Sequence, residues 1–214
     1  MDSERAPHVG CGQTKEMPMS ALAFLRRQPA LFRRFLGFFQ PPYVRFLHAL
    51  VAVLVILQIL SSSAMHMVAG HFAPGPGTWL ASRYHLGAGL ATVLFSLLLA
   101  AATLTRHGLR HFFPYLWGDT DQLKKDVLAS LRLNMVPPRP RGLAAAVQGL
   151  GLGALLLTVL SGLLWFILWR HGSDFSRAAL IVHKGVAPLM AVYLIGHGGM
   201  ALLHFAVWQR KTRP

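Results

Sequence analysis

Acidic residues and cysteine are what this chain has least of. Only seven of its 214 residues are Asp or Glu, against 21 Lys and Arg. No acidic residue falls between Glu16 and Asp119, or between Asp126 and Asp174. The long apolar runs inside those gaps therefore hold no carboxylate, which argues against a proton relay built on Asp or Glu. The one cysteine, Cys11, cannot close an internal disulfide and is not part of a C-x-x-C-H haem-attachment motif. Without a cysteine cluster there is no iron–sulfur centre, and no glycine-rich nucleotide fingerprint stands in a βαβ setting. A dehydrogenase or hydrogenase catalytic centre is thus absent. The first 40 residues also lack the apolar core and small-residue cleavage site of a signal peptide, so the first span is expected to act as an uncleaved targeting signal.

Charged residues make up 13% of the chain and hydrophobic ones 54%. A soluble domain carries about 25% charge, and here the apolar residues are also segregated into long runs. The expectation is an all-α integral membrane four-helix bundle, with spans at about 46–67, 84–105, 143–169 and 178–208. Residues 1–41 form a cytoplasmic tail and interfacial segment ahead of a single domain at 42–214. The net charge of +14 would fit nucleic acid, but the basic residues sit in flanks and loops beside apolar spans. Membrane topology and anionic lipid explain them there, without nucleic acid.

Residues 1–18 read as disordered. The stretch 20–39, SALAFLRRQPALFRRFLGFF, alternates Leu and Phe with arginine pairs. It reads as two short amphipathic turns broken by Pro29 and lying on the membrane surface, or else as a docking segment for a partner subunit. A short surface helix is expected within 119–133. The N-terminal flank, the loop after the second span and the C-terminal tail carry seventeen Lys and Arg; the opposite side carries four, Arg83, Arg170, Arg177 and Lys184. By the positive-inside rule both termini are expected in the cytoplasm.

The last span, 178–208, holds His183, His197 and His204, separated by fourteen and seven residues. At about 100° per residue, steps of fourteen and seven return to within roughly 40° and 20° of one face. His183 and His197 stand about 21 Å apart along the axis at 1.5 Å per residue. His48 begins the first span and His85 the second, so topology pairs His85 with His183 near one leaflet and His48 with His197 near the other. Two imidazoles from two helices do not complete a tetrahedral zinc set. They do suffice as axial ligands of a haem in an apolar slot, so two b-type haems are expected. Gly89, one turn from His85, leaves room for a porphyrin. Arg83 and Lys184 near the outer site, and Arg45 near the inner one, are candidate partners for propionates. His66 is an alternative to His85, and His204 to His197. His107, His111 and His171 read as interfacial polar residues.

These features resemble the bacterial cytochrome b561 family and the related b-type cytochrome subunits of membrane-bound nickel–iron hydrogenases and formate dehydrogenases. The family's first-span Arg-x-x-His-Trp reads Arg45-Phe-Leu-His48-Ala49 here, without the Trp. Its second span opens His-x-x-x-Gly, matched by His85 to Gly89, and its fourth span has two histidines about fourteen apart. Its Thr/Ser-Gly pairs correspond to Ser61-Ser62, where the Gly is lost, and Ser161-Gly162. The resemblance covers about residues 42–210. It implies four spans, two haems and transmembrane electron transfer, with a quinone or quinol at one end and a partner redox subunit at the other. His107, His111, Asp119 and His204 are candidates to assist a quinone. The competing reading is a haem-free transporter or assembly factor with structural histidines.

Overall fold

Four long helices are what these apolar runs must form in lipid, where every backbone N–H and C=O has to be satisfied within the segment. The computed structural model describes residues 21–37, 40–65, 67–68, 71–72, 75–132, 134 and 136–212. The four spanning helices are α2 (Pro42–Ser63), α3 (Pro76–His107), α6 (Leu143–Arg170) and α7 (Ser176–Thr212), all long and apolar enough to cross a membrane. Proline opens α2 and α3, where its missing N–H is free of consequence. Between them Met67–Val68 pairs antiparallel with His71–Phe72, a ladder of two residues a side. The fold is otherwise helical among the described residues. Residues 1–18, Cys11 and His66 lie outside them.

Close backbone packing runs in chain order, α2 on α3, α3 on α6 and α6 on α7. The first and last helices then face each other across the interior. Val44, Val51, Val55, Leu99, Leu155 and Met190 form the buried core between them. Apolar side chains on the outside stay uncovered: Val192 is 70% and Ile195 76% exposed, as lipid-facing positions should be. Both described ends of the chain lie at one end of the bundle, the terminal end. The α2–α3 and α6–α7 turns lie at the other, the hairpin end.

The N-terminal segment differs from the sequence expectation. Residues 21–37 form one helix, α1 (Ala21–Gly37), with Pro29 inside it. An interior proline costs about 3 kcal/mol in a helix, and docking on both sides offsets that. Gln209 Nε2 donates to Gln28 Oε1 at 2.6 Å. Phe32 meets Phe205 edge-on at 5.1 Å, and Phe35 lies 5.7 Å from Trp208. Arg26, Arg27, Arg33 and Arg34 remain exposed.

After α3, Gly108 at φ 77 ends the helix and turns the chain into α4 (Leu109–Phe112) and a single 3₁₀ turn, Pro114–Trp117. The expected surface helix is α5 (Asp121–Leu131). It contributes a buried carboxylate, Asp126, which accepts from Gln122 Nε2 at 2.7 Å and from the Leu143 N–H at 3.0 Å. Asp126 thereby caps α6 from a distance, since Gly142 at its N-cap has no side chain to do so.

Candidate functional site

Two cavities lie one above the other inside the bundle, each lined by α2, α3, α6 and α7. The hairpin-end cavity has a volume of about 510 Å³, and the terminal-end cavity about 310 Å³. Both fall in the range of ligand sites, about 300–1,000 Å³. Val55, Leu155 and Met190 belong to both walls. One layer of aliphatic side chains is therefore all that separates them.

The sequence-predicted histidines divide between the two cavities. His85 on α3 and His183 on α7 line the hairpin-end cavity, with Gly89 and Lys184 beside them. His48 on α2 and His197 on α7 line the other. The His48 and His197 ring centroids are 6.0 Å apart with planes at 63°. Metal–imidazole bonds are about 2.0–2.1 Å, and the ring centre lies about 1 Å further out. Rings at this spacing therefore leave room for one metal atom between them.

At the hairpin end both rings are held through Nδ1. His183 Nδ1 lies 3.1 Å from the Thr158 carbonyl and 3.2 Å from Ser161 Oγ. His85 Nδ1 lies 3.0 Å from Ser61 Oγ, while Gln58 Nε2 donates to the His85 carbonyl at 3.1 Å. A carbonyl can only accept, so His183 carries its proton on Nδ1 and leaves Nε2 for a metal. In the other cavity the Tyr193 ring stacks on His197 at 5.0 Å and 13°.

Helix α6 supplies no histidine, but it shapes both sites. A Cβ at Gly162 would come within 2.9 Å of His183 Cε1, and one at Gly151 within 1.9 Å of Tyr193 Cζ. Each glycine is the space a functional ring occupies.

This is the constellation of a haem-carrying bundle, and the family model described as prokaryotic cytochrome b561 matches residues 40–213. The chain belongs to the prokaryotic cytochrome b561 family. No curated protein and no solved structure matches it. A cytochrome b561 holds b-type haem in the membrane and passes electrons across it, and this chain is accordingly a multi-pass bacterial membrane cytochrome. The residues present fit that group, with facing imidazoles in apolar cavities and cations on the walls.

Of the cations named from the sequence, Lys184 lines a cavity, whereas Arg45 and Arg83 do not. Arg45 Nη1 donates to the Arg33 carbonyl at 2.9 Å and lies off the cavity wall. Arg83 stacks over Trp79 at 5.9 Å, also off the wall of its cavity. Instead Arg106 and Arg139 line the terminal-end cavity, with His107 and His111 beside them. His107 and His111 stack at 4.8 Å. Burial, then His107 and Arg141, pull the His111 pKa below its ordinary value. Asp119 is tied to Arg141 and Arg110. His204 turns to the carbonyls of Met200 and Val136, at 2.9 and 3.4 Å. Arg106 and Arg139 carry no helical periodicity or motif that marks them; only the fold of the loop 136–142 onto α3 brings them together.

Proposed function

We propose that this cytochrome carries electrons across the bacterial inner membrane through two b-type haems. His85 and His183 would hold one haem and His48 and His197 the other. The chain would exchange electrons with the quinone pool at the terminal end and with a partner redox protein at the hairpin end. The observation that carries this reading is the stacked pair of apolar cavities, one lined by His85 and His183 and the other by His48 and His197, parted by one layer of side chains.

When bound, a bis-imidazole haem takes up and releases single electrons at its iron without an open position for other ligands. The protein's own contribution is placement. Thr158 and Ser161 orient His183, and Ser61 orients His85, with Nε2 left to ligate. Tyr193 fixes the ring of His197. Lys184 at one cavity, and Arg106 and Arg139 at the other, supply the cations that carboxylate side arms need inside an apolar bundle. Val55, Leu155 and Met190 keep water out of the space between the sites. His111, whose pKa is drawn below its ordinary value, would accept a proton from a quinol at the terminal end. Of the other candidates for that role, His107 stands beside it, whereas Asp119 and His204 are engaged elsewhere.

A reduced-minus-oxidised spectrum with haem quantitation tests the reading on purified wild type, His183→Ala and His197→Ala. Two b haems per chain are expected, with each variant losing about one. A colourless wild-type protein would overturn it in favour of a haem-free transporter or assembly factor.

A further inference from the structure

The two halves of the bundle repeat one device at the hairpin end. Ser61 and Ser161 each bond the carbonyl three residues back, Gln58 at 3.1 Å and Thr158 at 2.9 Å. Each brings the same oxygen to Nδ1 of the histidine on the following spanning helix, His85 at 3.0 Å and His183 at 3.2 Å. A hydroxyl has one hydrogen. With that hydrogen given to its own helix carbonyl, the oxygen accepts from the ring nitrogen. Each ring also meets the backbone carbonyl of the residue three before its serine: His183 lies 3.1 Å from the Thr158 carbonyl, and the His85 ring has a backbone hydrogen bond to Gln58. The neighbours Ser62 and Ser63 make the same bond to their own helix, at 2.7 Å each, and meet no histidine.

We propose that Ser61 and Ser161 are positioning residues that set the reduction potential of the hairpin-end haem, an inference that rests on the di-haem reading above. An acceptor on Nδ1–H pushes electron density toward Nε2 and makes the imidazole a more basic ligand. A more basic axial ligand favours the ferric state and lowers the potential. The hydroxyls therefore hold this haem at a lower potential than the same two histidines would give without them. The hydrogen bonds also fix each ring about its Cβ–Cγ bond and so fix the angle between the two imidazole planes. The histidines of the other cavity have no such bond among the described residues, so the device acts on one haem alone.

The test is a potentiometric titration of the purified holoprotein, followed by optical absorbance, with electron paramagnetic resonance of the oxidised form. Ser61→Ala should raise one of the two potentials by about tenfold in the reduction equilibrium, about 59 mV for one electron. Ser161→Ala should move the same haem in the same direction. Ser61→Thr, which keeps the hydroxyl, should return the potential and the resonance toward wild type, and Ser63→Ala should change neither. Ala variants with both potentials and both resonances at wild-type values would overturn the proposal. So would a Thr variant shifted as far as the Ala one. A wild-type protein without haem would overturn instead the reading on which the proposal stands, so the two failures are distinguishable.

Discussion

The glycine at 162 decides more about the hairpin-end site than any residue of comparable size. A methyl group there would press on the His183 ring at 2.9 Å from Cε1 and 3.2 Å from Nδ1, a ring already bonded to Thr158 and Ser161. Gly162→Ala should therefore weaken the hairpin-end haem and spare the other, read as haem content falling from about two toward one per chain. Gly151→Ala should do the reverse, because its methyl displaces the Tyr193 ring stacked on His197. Gly153 lies between them on the same helix with nothing within 4 Å of an added Cβ, so Gly153→Ala should retain both haems. Equal haem loss in all three would point to helix packing rather than to these rings. At this scale the sequence was legible where spacing and topology suffice. The four histidines of the two cavities could be paired from helical periodicity and counted charges. Tyr193, Arg106 and Arg139 could not, since they earn their places through contacts between segments far apart in the chain.

Among the elements, the spanning helices were written plainly in the apolar runs, but their starts were not. Helix α3 begins at Pro76, ahead of the span expected from residue 84, because proline suits a first helical turn. Helix α1 was misjudged for the opposite reason. Pro29 signals a break, and only the aromatic contact with Phe205 and Trp208 shows why the helix continues. Arg45 belongs to this contact through the Arg33 carbonyl. Arg45→Ala should leave both haems in place while exposing the arginines of α1 to faster tryptic cleavage. Phe35→Ala, which removes a buried ring, should go further and lower the stability of the detergent-solubilised protein by about 3 kcal/mol, seen in thermal unfolding. If Arg45→Ala instead lost the terminal-end haem with α1 still protected, Arg45 would be a propionate partner after all.

For the molecule as a whole, direction is what remains to be fixed by charge. The structure places both described chain ends at one end of the bundle, and the sequence places seventeen Lys and Arg on that side against four on the other. Positive flanks are retained in the cytoplasm, so the terminal-end cavity should open inward and the hairpin-end cavity outward. The lone native cysteine makes this easy to check in a Cys11→Ser background. Lys125→Cys on α5 and Asp174→Cys in the α6–α7 turn are exposed positions at opposite ends. A membrane-impermeant maleimide applied to intact spheroplasts should label Asp174→Cys at once, and Lys125→Cys only after permeabilisation. The opposite pattern would invert the molecule. The histidine pair bonded to Ser61 and Ser161 would then lie toward the cytoplasm, and His111 toward the outside. Labelling therefore decides which of the two histidine pairs lies toward the cytoplasm.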